Sequence, residues 1–226
     1  GKEPWKFDRT TSHVMEEYLR LRHSLIPYLY TMNRRASREG LPLVQPMYYL
    51  EPEQGEAYEV KNEYYFGSEL LVSPITEKQD ATARVGKAKT WLPKGLWVDF
   101  FTGLVYHGGR MMNLFRNVEH IPVLMKAGAI VPMQNMEAFS NSVANPSAME
   151  VHVFPAKNSS FTLWEDGGDT PEDMDANWAS TELTFTSEIT TRFLIGKARG
   201  NVAVLPKSHF CSGNCRSGAF TGKGFL

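Results

Sequence analysis

The sequence predicts a mainly β protein headed by one long helix, and three observations support this. Between residues 12 and 38 the apolar side chains Val14, Tyr18, Leu21, Leu25 and Leu29 recur every three or four positions, with Met15, Leu19 and Ile26 beside them. That spacing lines one face of a 3.6-residue helix. After Gly67 the period is lost, and short apolar runs alternate with Gly and Pro, the rhythm of an antiparallel sandwich or barrel. No apolar run approaches the roughly 18 residues a membrane-spanning helix needs.

The helix has its own end signals. Thr11 and Ser12 are candidate N-caps, and Glu16 and Glu17 suit the positive end of the helix dipole. Arg34, Arg35 and Arg38 suit the negative end, and Gly40 is a stop. Pro27 lies inside the pattern and is expected to kink the helix or split it in two. Residues 41–50 read as a short buried strand whose ladder is limited by Pro42 and Pro46. Such a strand needs neighbours on both sides. None is visible in the first 66 residues, so part of the fold is expected upstream. Residues 51–65 read as a loop with a short helix.

Strands are expected at 70–75, 88–92, 97–101, 118–125 and 130–133, then a polar linker at 134–147. A second set is expected at 149–154, 161–164, 180–186, 191–195 and 201–205, and residues 207–226 lack alternation and are expected to be poorly ordered.

Composition narrows the function classes. Hydrophobic residues make up 42% of the 226 and charged residues 22%, with a formal net charge of -1. This is ordinary for a soluble domain, and it gives no electrostatic footprint for nucleic acid or an anionic membrane. The first residues do not form a signal peptide. Cys211 and Cys215 are too few to staple the fold and too few for a zinc site. Thiols in a reducing, cytoplasmic setting are the favoured reading, with a disulfide as the alternative. No Gly-rich phosphate loop is present, so nucleotide binding has no support.

Specific motifs then bear on the family. Glu3-Pro4-Trp5, Leu19-Arg20-Leu21-Arg22 and Leu25-Ile26-Pro27-Tyr28-Leu29-Tyr30-Thr31 are followed by Gly40-Leu41-Pro42-Leu43-Val44-Gln45-Pro46 and by Tyr64-Tyr65-Phe66-Gly67-Ser68-Glu69-Leu70-Leu71-Val72-Ser73-Pro74. Gly95-Leu96-Trp97-Val98-Asp99-Phe100-Phe101-Thr102-Gly103, Ile121-Pro122-Val123, Ala127-Gly128-Ala129-Ile130-Val131-Pro132 and Thr162-Leu163-Trp164-Glu165-Asp166-Gly167-Gly168-Asp169-Thr170 continue the series. In order and spacing they resemble the late part of glycoside hydrolase family 31, over roughly residues 2–205. The resemblance implies a retaining α-glucosidase or α-xylosidase, in which one Asp is the nucleophile and a second carboxylic acid protonates the leaving oxygen. In the family those carboxylates, with a substrate-binding Arg and His, lie before the Glu-Pro-Trp motif, so no catalytic residue maps onto this sequence.

The implied fold class is mainly β: the end of a (β/α)8 barrel over residues 1–66, a proximal antiparallel β-sandwich over 67–134, an incomplete distal β domain over 135–206 and a tail over 207–226. The expected function is the C-terminal segment of an α-glycosidase, inactive alone and supporting the barrel. The alternative is a stand-alone carbohydrate-binding sandwich. The expected partner is carbohydrate, reached through the whole enzyme, without nucleic acid, membrane or organic cofactor. Residues 12–50 are expected either to self-associate or to pack against the sandwich. Gln45 stands where the family commonly has Arg.

Individual site candidates remain. Trp164 and Trp178 are candidate sugar platforms, although aromatics in β domains more often fill cores. Asp166, Asp169 and Asp173 could ligate Ca²⁺, but Asp and Gly together also make a tight turn, which is the favoured reading. Asp99, beside Trp97, could be an acid of raised pKa. It is read instead as satisfying backbone donors before the turn at Thr102 and Gly103.

Overall fold

A computed structural model of the chain describes residues 2–135, 141–168, 173–187, 191–206, 210–212 and 223–225. The long helical pattern forms two helices, α1 (Arg9–Ser24) and α2 (Ile26–Glu39), joined at Leu25. Pro27 causes the split yet costs little there, because it sits in the first turn of α2, where an N–H has no intrahelical acceptor to lose. The N-cap is Asp8 rather than Thr11 or Ser12: its carboxylate accepts from the N–H groups of Thr10 at 3.0 Å and Thr11 at 3.1 Å, so the helix starts earlier than expected. Gly40 ends α2 at φ 69°, as a left-handed C-cap.

The strand expected at 41–50 is corrected. Only β1 (Val44–Pro46) is extended, and Met47–Leu50 forms the short helix α3. Pro46 has no N–H to continue the ladder, and the turn into helix carries Met47 into the core. The strand does find a neighbour. After α4 (Glu56–Glu59), β2 (Tyr64–Phe66) pairs with it antiparallel. The short helix expected within 51–65 is α4, while Tyr64 and Tyr65, expected as loop, enter the strand β2, because three consecutive aromatics favour a pleated surface.

The remaining strands are β3 (Leu70–Val72), β4 (Gly86–Leu92), β5 (Leu96–Asp99), β6 (Val105–His107), β7 (Arg110–Arg116), β8 (Val123–Lys126) and β9 (Ile130–Gln134). Then come β10 (Ala148–Val153), β11 (Ser159–Asp166), the short helix α5 (Asp173–Ala176), β12 (Trp178–Ser187), β13 (Thr191–Ile195) and β14 (Arg199–Gly200). The strand expected at 201–205 is instead a 3₁₀ turn, Val202–Val204, because the Asn201 side chain caps it by accepting from the Ala203 N–H at 3.0 Å. Within 207–226, expected to be poorly ordered, β15 (Phe210–Ser212) adds parallel to β10 and β16 (Lys223–Phe225) pairs with β15. The rest of that stretch lies outside the described residues.

Among the described residues the sheets are a six-stranded one (β1-β2-β3-β8-β5-β6), a β4-β7 ribbon, a four-stranded sheet (β16-β15-β10-β9), and β11-β12-β13 with β14 on β12. Strand pairing crosses both expected divisions, β2 to β3 at residues 66 and 67 and β9 to β10 at 134 and 135.

The six-stranded sheet separates two cores by the period of two. Leu70 and Met125 enter one core with Leu25, Tyr28 and Met32 of the helices and with Phe161, Leu183 and Phe185 of the distal sheet. Their neighbours Leu71 and Leu124 enter the other, with Trp91, Trp97 and Leu114 around the ribbon. Helix α2 packs along β11 and β9. The helix pair therefore packs against the sandwich, one of the two outcomes expected of its apolar face.

Directed bonds fix that packing. The fully buried Tyr28 hydroxyl donates to the Phe66 carbonyl at 2.7 Å and accepts from the Glu69 N–H at 3.1 Å. Between them Gly67 has φ 67°, and a Cβ there would lie 2.2 Å from the Tyr28 oxygen. Thr31 Oγ1 accepts from the Trp164 N–H at 3.1 Å, and the Gln134 amide donates to the His23 carbonyl at 2.9 Å. Tyr28→Phe leaves a buried carbonyl and a buried N–H without this partner, which is expected to cost about 1–3 kcal/mol. Gly67→Ala adds a clash and left-handed strain and is expected to cost more. Urea unfolding midpoints check both, and a Gly67→Ala midpoint equal to that of the unsubstituted chain would refute the account.

Candidate functional site

The residues flagged in the sequence fall into separate places. Trp164 on β11 and Trp178 on β12 are half-buried diagonal neighbours across the ladder, with ring centroids 4.9 Å apart. The buried Arg34 of α2 lays its guanidinium 3.9 Å from the Trp164 centroid and 5.6 Å from that of Trp178. A cation over a tryptophan face is a favourable electrostatic contact. It occupies a surface on which a sugar ring would have to stack. Burial is the main cause that lowers the Arg34 pKa from its ordinary value, with nearby Arg38 adding to it.

Asp166 lies beside this cluster at the end of β11. Tyr30 donates to its Oδ2, the Gly168 N–H donates to Oδ1 at 2.9 Å, and Asn145 Nδ2 donates to its carbonyl at 2.8 Å. These are the bonds of a tight turn tied to α2. Asp169 lies outside the described residues, and Asp173 opens α5. Among the described residues no three His, Cys, Asp or Glu side chains group as metal ligands.

Asp99 is buried and has structural partners. Its Oδ1 accepts from the N–H groups of Phe101 at 3.0 Å and Thr102 at 2.8 Å and from the Thr102 hydroxyl at 3.0 Å, and Arg116 donates to Oδ2. Gln45 is also buried, donating to the Pro42 carbonyl at 2.8 Å, which gives it a local structural role.

Two buried carboxyls were missed in the sequence. Burial pushes Glu63 up to about 8, only partly offset by the Trp91 N–H, 3.1 Å from Oε2, and by the Ser73 hydroxyl. Burial pushes Glu165 up to about 7. Glu63 lies just before β2 and Glu165 on β11, both as packed side chains, and neither was legible because each lies in an acidic stretch that reads as loop or turn. Elsewhere Glu150 pairs with His152 at 3.0 Å, and that hydrogen bond holds its carboxyl below the usual range.

Comparison with known proteins decides the family. A model described as the glycosyl hydrolase family 31 C-terminal domain matches residues 40–131, and one described as the glycosyl hydrolases family 31 TIM-barrel domain matches residues 1–32. The chain belongs to glycoside hydrolase family 31. It corresponds to the C-terminal part of a family member, with α1 and the start of α2 matched by the barrel description. An α-xylosidase of Saccharolobus solfataricus is 30% identical over 91% of this chain and 27% of its own length. A 1,6-α-glucosyltransferase of Sporosarcina globispora is 32% identical over 74% of this chain and 13% of its own. A family 31 dextranase of Flavobacterium johnsoniae, solved with glucose, superposes with a TM-score of 0.83 at 24% identity, covering 96% of this chain and 27% of that one. The family 31 chain thus spans about a quarter or less of the length of these proteins.

Glu63 gives the family 31 segment a testable pH dependence. Its ordinary pKa is 4.5 and its folded value about 8. Across that window the folded state holds a proton that the unfolded chain has released. Stability therefore falls as pH rises from about 4.5 to about 8, by at most ~1.4 kcal/mol per pH unit for this group. Glu63→Gln is expected to flatten most of that fall and to leave the smaller part that Glu165 contributes up to about 7. Urea midpoints at about pH 5 and about pH 8 measure it, and an equal drop in both proteins would remove Glu63 as the cause.

Proposed function

We propose that this chain is the supporting end of a retaining α-glycosidase acting on α-linked glucosides or xylosides, and that it does not hydrolyse them by itself. The observation that carries this is the shared core: the helix pair matched in part by the barrel description is locked by Tyr28, Thr31 and Gln134 to both the proximal and the distal sheets. A sandwich fastened to barrel helices in this way holds them in place. The substrate class follows the names of the relatives, and the inactivity follows the state of the carboxylates. Retaining hydrolysis needs two carboxyls about 5 Å apart facing one sugar. Here Asp99 is bound to Arg116 and to a turn, Glu69 to the Ile130 N–H and Lys126, and Glu150 to His152.

No helix of the described residues is long and apolar enough to cross a membrane. A sugar platform on Trp164 and Trp178 is less favoured, because Arg34 covers the Trp164 face it would use. Incubating the chain with p-nitrophenyl α-glucoside and α-xyloside is expected to release no more nitrophenol than buffer; release well above the blank would overturn the proposal.

Residues 12–50 also leave an uncovered apolar surface. Leu19, Val44, Tyr48, Tyr49 and Leu50 are exposed, and Tyr48 stacks on exposed Tyr58 at 5.2 Å. Exposed aromatics grouped as Tyr48, Tyr49 and Tyr58 are grouped here favour association. Sedimentation of the chain is expected to show concentration-dependent self-association that weakens in Tyr48→Ser with Tyr49→Ser. A monomer at all concentrations would contradict it.

A further inference from the structure

A cleft of about 880 Å³ opens where α1 crosses the turn after β5 and strand β10. Its volume lies within the ~300–1,000 Å³ of small-molecule sites. Segments distant in sequence build it: α1, residues 98–103, residues 119–125, Met133 and residues 150–156.

The wall is aromatic. Tyr18 and Phe101 have ring centroids 6.1 Å apart, and Phe100 meets Phe101 edge-on at 5.3 Å. Two imidazoles hold these rings: His152 stacks on Phe100 at 5.1 Å with 12° between planes, and His120 lies 4.8 Å from Phe101. Around the aromatic wall the lining carries the carboxylates Glu17, Asp99, Glu119 and Glu150, against Arg20 as the arginine among the described lining residues. Asp99 is held by Arg116, Glu150 by His152 at 3.0 Å, and Glu119 accepts from the Asn117 amide at 3.1 Å, which leaves Glu17 on the exposed rim as the acceptor that a ligand would meet first.

This composition selects a ligand chemistry. Four lining carboxylates oppose an anion. A metal ion has no group of three ligands here among the described residues. A purely apolar molecule would desolvate the carboxylates with nothing to bond them. A neutral polyhydroxylated ring satisfies both parts: its C–H faces lie on the aromatics, while its hydroxyls donate to carboxylates and accept from imidazole N–H groups. We propose that the cleft between α1 and the sandwich binds a neutral oligosaccharide. The choice of a sugar over another neutral polyol rests on the glycosidase reading above.

Calorimetric titration of the full chain with isomaltotriose and maltotriose tests it. Saturable binding is expected for at least one sugar. Phe101→Ala and Glu17→Gln are each expected to weaken it about fivefold or more, equivalent to about 1 kcal/mol, and Tyr49→Ser, outside the cleft, to leave it unchanged. Glu17 is exposed on a helix, so its variant retains the fold even if Phe101→Ala does not. No saturable heat with either sugar, or binding insensitive to Glu17→Gln, overturns the cleft assignment. Nitrophenol release overturns the supporting-segment reading instead, so the two failures are told apart.

Discussion

The fold depends on one buried hydroxyl. Tyr28 reaches from α2 to the turn between β2 and β3, where it closes the Phe66 carbonyl and the Glu69 N–H. Both backbone groups would otherwise be buried away from water, and orphaned polar groups are costly there. The geometry tolerates only glycine between them, at Gly67. Glu69 extends the link, since its carboxylate accepts from the Ile130 N–H at 3.1 Å and lies 3.2 Å from Lys126 Nζ. A single helix residue thus fixes the turn from which β3 departs, and through Glu69 it reaches β8 and β9.

That constraint explains why a mostly β chain keeps its helices. The six-stranded sheet is buried on both faces, so it needs a cover on each side. The β4-β7 ribbon covers the Leu71 and Leu124 face. The Leu70 and Met125 face is covered by Leu25, Tyr28 and Met32 together with the distal strands. The helix pair thus shares one core with strands of both the six-stranded sheet and the β11-β12-β13 sheet. The same arrangement leaves a cleft beside α1, whose aromatic wall combines Tyr18 of α1 with Phe100 and Phe101 of the turn after β5 and whose acidic lining comes from α1, β5, β10 and the segment before β8.

Much of this was legible in the sequence because local periodicity is written locally. The helix, its break at Pro27 and its Gly40 stop follow from spacing and two backbone-special residues. Most strands beyond Gly67 follow from apolar runs between turn residues. Strand β7 was missed because Arg110, Asn113 and Arg116 dilute its apolar signal, and only Leu114 is buried there. The turn at Val202–Val204 was misread because an Asn side chain, not apolar patterning, decides it. At the sites, Asp99 was read correctly because its donors are two and three residues away. The covering of Trp164 by Arg34 could not be read, since it is a tertiary contact between a helix and a strand far apart in the chain. For the same reason the cleft was invisible: its walls meet only once the layers have stacked.

Native-state amide hydrogen exchange tests the central claim most directly. If Tyr28 binds the layers into one unit, the Glu69, Ile130 and Trp164 amides should exchange only through global opening, with the same free energy as amides in the middle of β11 and β12. Tyr28→Phe should lower all of them together. Glu69 and Ile130 exchanging by a local opening well below the value for β11 and β12, or a Tyr28→Phe effect confined to Glu69, would show that the sandwiches hold together without the helix and would contradict the account.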